Sequence, residues 1–187
     1  MNAKHKLLSL LLAGALTLGL SACGATEQQE ASPAEDTAPA VVETAPAAEG
    51  WNPDLSFQTQ DSAGNAWSDA VFGEHALTLV NYWAYWCGPC VGELPELQRI
   101  YEDYADRGLL VLGVSDEGYE AENNKIVEEK GITYPCLRYT EDFDAWMNTG
   151  YIPTTVFVDG NGKVVGSPLV GSRAYEDWAA LVEEYLP

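Results

Sequence analysis

Apolar residues in this chain fall in short blocks whose spacing predicts an alternation of strands and helices. Leu77-Thr78-Leu79-Val80-Asn81-Tyr82-Trp83 and Leu109-Leu110-Val111-Leu112-Gly113-Val114-Ser115 are near-continuous apolar runs. That is the pattern of strands covered on both faces. Between them Leu94, Leu97, Ile100, Tyr101 and Tyr104 recur at helical spacing, which predicts a helix over residues 91–106, with Pro95 expected to kink it. Residues 119–130 read as a polar helix closed by Gly131, a residue suited to the position just past a helix end. Residues 134–139 read as a short extended stretch and 142–148 as a short helix. Residues 151–159 read as a loop entering a strand, and Asp159-Gly160-Asn161-Gly162 signals a hairpin turn into residues 163–166. The last helix is predicted over 174–186, with Trp178, Leu181, Val182 and Tyr185 on one stripe. On the N-terminal side, Leu55-Ser56-Phe57 and Asn65-Ala66-Trp67 flank a turn at Asp61-Ser62-Ala63-Gly64, an expected hairpin. The order predicts one α/β domain over residues 51–187, with a mixed central sheet flanked by helices and an N-terminal β-hairpin.

The first 50 residues follow a different pattern. Lys4 and Lys6 precede an uncharged apolar run over residues 7–20, too short to span a bilayer comfortably and suited to a secretory signal. The run ends in Leu20-Ser21-Ala22-Cys23, which resembles a bacterial lipobox. Residues 1–22 are then a lipoprotein signal peptide, and Cys23 is acylated and anchors the mature chain in a membrane. Ordinary signal cleavage after Ala22 is the other reading. Residues 24–50 are rich in Ala, Pro, Thr, Gln and Glu, with Val41 and Val42 their only sizeable apolar side chains. Such a stretch cannot bury enough apolar surface to offset its chain entropy, so residues 23–50 are expected to form a disordered tether. The placement is extracytoplasmic.

The formal net charge is −20, and losing Lys4 and Lys6 with the leader makes it −22. An acid excess of this size argues against nucleic acid or an anionic lipid surface as a partner, whose footprint is a basic patch. It reads instead as a solvated surface. Three cysteines follow the anchor, Cys87, Cys90 and Cys136. An odd count is not a disulfide scaffold and fits one dithiol plus one leftover thiol.

Trp86-Cys87-Gly88-Pro89-Cys90 lies where a predicted strand gives way to a predicted helix. A helix N-terminus offers unpaired N–H groups and the positive end of the dipole, which stabilise a thiolate. Cys87 is therefore expected to be the exposed nucleophile. Cys90, a turn deeper, should resolve the mixed disulfide. Gly88 and Pro89 let the chain turn tightly and start the helix. A permanent disulfide and half of a zinc site are the alternatives; zinc needs further ligands, for which the mature chain has one histidine, His75, one spare cysteine, Cys136, and no second C-x-x-C. Glu93 stands three residues after Cys90, on the same side of the helix, where a carboxylate can exchange protons near the dithiol. Cys136 reads as a small buried hydrophobe, with a third redox thiol as the alternative. His75 receives no role.

The run from Asn81 to Cys90, followed by Glu93, Pro95 and later Ile152-Pro153-Thr154, resembles the thioredoxin superfamily. Within it the chain resembles the TlpA/ResA group of extracytoplasmic thiol–disulfide oxidoreductases, over about residues 55–186. The resemblance implies a thioredoxin-like fold and a Glu93 that handles protons for the cysteines. It also implies a cis bond before Pro153, with Ile152 and Pro153 facing the dithiol and pairing with a substrate's extended backbone. Trp86, Gly88 and Pro89 would border that substrate. Asn81 stands where many cytoplasmic thioredoxins carry an aspartate, a departure that leaves proton removal to Glu93. No nicotinamide, flavin or haem motif is present, so no cofactor is expected beyond the redox-active disulfide itself. The implied partners are disulfide-containing proteins and a membrane thiol electron donor of the CcdA/DsbD kind. Apocytochrome c cysteines and an oxidised secreted repair enzyme are the implied candidate substrates. A disulfide-donating oxidase and a metal-binding or metal-delivery lipoprotein remain as rival readings.

Overall fold

A computed structural model describes residues 51–116 and 118–187. The expected leader over 1–22, the acylated Cys23 and the tether over 23–50 lie outside the described residues. Strands β1 (Gln58–Gln60) and β2 (Ala66–Ser68) form an antiparallel hairpin. There follow β3 (Leu77–Trp83), α1 (Gly88–Tyr104), β4 (Leu109–Ser115), α2 (Glu120–Glu129) and β5 (Cys136–Arg138). A short α3 (Asp144–Met147), β6 (Thr154–Asp159), β7 (Val164–Val170) and α4 (Tyr175–Tyr185) complete the order. The five-stranded sheet runs β5-β4-β3-β6-β7. β3 pairs in parallel with β4, and β4 with β5, whereas β6 is antiparallel to both β3 and β7. This is a thioredoxin-like α/β fold.

Strand alternation divides the core into two layers. Leu77, Leu79, Trp83, Val111 and Phe157 face α1 and α4, whose Leu94, Leu97, Ile100, Trp178 and Val182 are fully buried against them. Val80, Leu112, Val114, Val156 and Val158 face the other way, onto Leu55, Phe57, Phe72, Phe143 and Trp146. The second layer explains where the hairpin departs from expectation. Leu55 and Phe57 are not strand residues but core residues, Phe57 stacking on Phe143 at 5.0 Å between ring centres. The strand starts only at Gln58, and Asp61 closes the turn by accepting from the Ala63 and Asn65 backbone, Asn65 Nδ2 and Trp67 Nε1. A 3₁₀ turn over Asp69–Glu74, unannounced by any long periodic pattern, buries Val71 and Phe72 and is capped by Ser68 Oγ.

Helix α1 continues through Pro95 as one element. Leu94 and Leu97, either side of the proline, are both fully buried, and their packing on the sheet holds the helix across the missing N–H. Strand β7 is longer than the turn signal implied, reaching Val170. The antiparallel register of β6 matters most for function. Tyr82 pairs with Thr154 and Asn81 with Thr155, so the start of β6 lies beside the end of β3, from which the chain enters the C-x-x-C segment.

Candidate active site

Cys87 is the N-cap of α1, with extended backbone (φ −90°, ψ 100°), and Pro89 follows within the first turn. The Cys90 backbone N–H donates to Cys87 Sγ at 3.3 Å, the interaction an N-cap side chain makes with the otherwise unpaired donors of a helix start. Here the two cysteines form a disulfide. In the reduced protein the same N–H and the helix dipole would stabilise a Cys87 thiolate. Cys87 is less open than expected, with only 8% of its surface exposed, while Cys90 is fully covered. The cause is the loop before β6: the Ile152 carbonyl oxygen lies 3.9 Å from Cys87 Sγ.

That loop carries a cis Ile152–Pro153 bond. It is pinned on both sides. Gly171 N–H donates to the Pro153 carbonyl at 2.9 Å, and Thr154 Oγ1 donates to the Tyr151 carbonyl at 2.7 Å. Between the loop and Trp86 runs a groove of about 240 Å³, lined by Tyr82, Trp86, Met147, Gly150, Tyr151 and Ile152 among others. Trp86 is 58% exposed and Tyr151 70%, so two exposed aromatic faces border the groove. Trp86 Nε1 donates to Asp116 Oδ2 at 3.3 Å. Asn123 ties this end of the site to α2, accepting from Tyr85 N–H at 3.1 Å and donating to the Asp116 carbonyl at 3.0 Å. Tyr82 stacks on Tyr139 at 4.6 Å, and Trp83 is wholly core.

Glu93 is only 2% exposed. Its Oε1 accepts from Asn81 Nδ2 at 3.0 Å and its Oε2 from the Arg173 backbone N–H at 3.1 Å. Burial pushes the carboxyl up to about 7, against the pull of the Arg173 N–H, the Asn81 amide and the Arg173 charge. The group therefore changes charge near neutrality, where a proton carrier is most useful. Arg173 is itself pinned, its Nη1 donating to the Gly171 carbonyl at 2.8 Å and its guanidinium lying over the Trp178 ring at 5.3 Å. The sequence draws attention to Glu93 and Asn81 separately but not to the bond between them, and nothing in it marks Arg173 or Thr155 as their partners. Arg173 stands 80 residues from Glu93, and no local spacing links them.

Cys136 is buried, and desolvation pushes its thiol up to about 12. It faces Gly113, where an added Cβ would lie 3.1 Å from Cys136 Sγ and 3.2 Å from Trp83 Nε1. The close fit suits a packing group within the same buried cluster that holds Cys87 and Cys90. The two thiols are equally covered, at 8% exposure, but the raised Cys136 thiol stays protonated, so alkylation of the reduced native protein is expected to label Cys87 well before Cys136, with Cys136 reacting fully only in denaturant; peptide mapping after iodoacetamide checks this. Among the described residues no group of three or more His, Cys, Asp or Glu side chains converges as metal ligands. No helix among them is long and apolar enough to cross a membrane.

A dithiol at the start of a helix, beside an Ile-Pro loop on a thioredoxin-like sheet, defines a thiol–disulfide oxidoreductase. The comparisons agree. The AhpC/TSA family model matches residues 52–167, and the chain belongs to that thioredoxin-like family. It is 31% identical over 129 residues to the thiol-disulfide oxidoreductase ResA of Geobacillus thermodenitrificans, covering 64% of this chain and 73% of that protein. With the ResA of Oceanobacillus iheyensis it shares 33% identity over 88 residues, 46% of this chain but only 45% of that protein's length. Among solved structures, the thiol:disulfide interchange protein of the thioredoxin family from Chlorobium tepidum TLS is 28% identical with a TM-score of 0.64, covering 72% of this chain and 96% of that one.

Proposed function

We propose that this protein is a membrane-tethered, extracytoplasmic reductant of protein disulfides. In the reduced state the Cys87 thiolate attacks a substrate disulfide, forming a mixed disulfide and releasing one substrate thiol. Cys90 then gives up its proton and attacks Cys87 Sγ, releasing the second substrate thiol. Two electrons pass to the substrate and the Cys87–Cys90 disulfide remains. Glu93 takes the Cys90 proton and returns it to solvent. Trp86, Gly88, Pro89, Ile152 and Pro153 form the surface on which the substrate's extended segment lies. The observation that carries this reading is the Cys90 N–H held on Cys87 Sγ at 3.3 Å at the head of α1.

The reductive direction is supported by the Gly88-Pro89 dipeptide, which resembles that of reducing thioredoxins. The tether is supported by the lipobox-like Leu20-Ser21-Ala22-Cys23 and the polar stretch after it. Outside the cytoplasm no soluble reductase is at hand, so electrons arrive from a membrane thiol carrier of the CcdA/DsbD kind. The disulfide itself is the only redox group the scheme uses. Substrates are proteins with exposed disulfides, apocytochrome c among the candidates.

Two measurements test the proposal. A reduction potential near about −270 mV fits a reductant, whereas one near about −120 mV would make the protein an oxidant. Cys90→Ala is expected to accumulate mixed disulfides through Cys87, visible as reductant-sensitive adducts on non-reducing gels. A variant that traps nothing, paired with a wild type that reduces no protein disulfide, ends the reading.

A further inference from the structure

The carboxylate of Glu93 meets two different kinds of partner. At Oε2 it has the Arg173 backbone N–H, which can only donate. At Oε1 it has the side-chain amide of Asn81, which presents a donor at one end and an acceptor at the other. A proton on Glu93 therefore belongs on Oε1, since Oε2 faces a donor that cannot reverse. With Oε1 protonated, the Asn81 NH₂ group would confront an O–H, donor against donor.

The surroundings of Asn81 supply the remedy. Asn81 is fully buried, and its Oδ1 has no hydrogen-bond partner. Its Nδ2 donates both to Glu93 Oε1 and to Thr155 Oγ1, at 3.0 and 2.9 Å. Thr155, its cross-strand neighbour on β6, is a hydroxyl and can donate as well as accept. Turning the amide by half a revolution in place sets Oδ1 where it accepts from both the Glu93 O–H and the Thr155 O–H. Both bonds survive with their direction reversed, and no volume changes.

We propose that Asn81 is a positioning residue whose amide turns over each time Glu93 gains or loses its proton, with the Thr155 hydroxyl reversing in step. The proposal rests on the reading of Glu93 as the proton carrier of the dithiol. The amide supplies a donor to the ionised form and an acceptor to the neutral form, so Glu93 is hydrogen-bonded in each charge state, while the other end of the amide meets no partner in either orientation. An aspartate at this position would offer no donor when ionised. The other titratable or charged groups facing Glu93 are Arg173 from the segment before α4, Tyr134 from the segment before β5, and Cys90 on its own helix. Arg173 and the buried Tyr134 keep their protonation near neutrality. Cys90 does not titrate while the disulfide is closed.

The test is an NMR titration of the full chain with the disulfide intact. The Asn81 side-chain NH₂ signals, assigned by their loss in Asn81→Leu, should move through a single transition sharing its midpoint with the Glu93 carboxyl carbon. In Glu93→Gln, whose NH₂ donates at every pH, they should stop titrating. In Asn81→Leu both charge states lose their bond to the amide, and because the charge-assisted bond to the ionised form is the stronger of the two, the Glu93 midpoint should rise, by about one pH unit or less; a purely structural role would lower melting temperature and leave the midpoint alone. Asn81 signals that stay flat while Glu93 titrates in the wild type overturn the proposal. Because the oxidised protein is observed, that outcome is separate from any failure to reduce disulfides.

Discussion

Cys87→Ser is expected to abolish disulfide reduction, lowering the rate by on the order of 10³-fold or more, as removal of a nucleophile does. The hydroxyl that replaces the thiol is not ionised at neutral pH, so the N–H at the head of α1 has no anion to stabilise. Cys90 cannot take over, since it is fully buried while Cys87 retains a narrow opening beside Trp86 and Ile152. Turbidity from insulin reduction in the presence of a small dithiol measures the effect. A variant retaining a tenth of wild-type activity would place the chemistry at another residue.

Glu93→Gln separates two consequences of one buried carboxyl. For catalysis, loss of a positioned proton acceptor should slow release of the mixed disulfide by about 10²-fold at pH 7, and the pH–rate profile should lose its inflection near 7. For stability the sign is opposite. Burial raises the folded-state Glu93 to about 7 from an ordinary value of 4.5, so between these values the folded chain binds more protons than the unfolded one. The stability associated with the neutral form is complete below about pH 4.5 and is lost as the pH rises through 7. That difference is worth on the order of 3 kcal/mol. Glutamine cannot ionise, so the variant should melt several degrees above wild type at pH 8 and close to it at pH 4.5. Thermal denaturation at the two pH values decides; equal offsets at both would mean that Glu93 ionises in the fold as easily as in water.

Most of the element order is legible along the chain because it rests on local repetition. Runs such as 77–83 and 109–115 are apolar at most positions on both faces of the pleat, and they are strands with those bounds. The turn at Asp159-Gly160-Asn161-Gly162 sits between β6 and β7, with the Asp159 side chain accepting from the Asn161 and Lys163 backbone. The misjudged pieces lack such repetition. Leu55 and Phe57 alternate like a strand yet serve as plugs beneath the sheet. Asp69–Glu74 has only two buried side chains, Val71 and Phe72, to mark its turn.

The cysteine pair at the head of its helix is legible in five consecutive residues, since a strand end, two cysteines one turn apart and a proline are all neighbours in the chain. The ionisation of Glu93 could not. It depends on Asn81 from β3, Arg173 from beyond β7 and the apolar layer around Trp178, brought together by the packing of α1 on the sheet and α4 beside it. Spacing along a helix says which residues share a side; only close packing says which side excludes water, and desolvation of a carboxyl follows from that exclusion. Likewise Ile152 lies against Cys87, 65 residues away, because antiparallel pairing of β6 with β3 returns its first residues to the end where the cysteines begin.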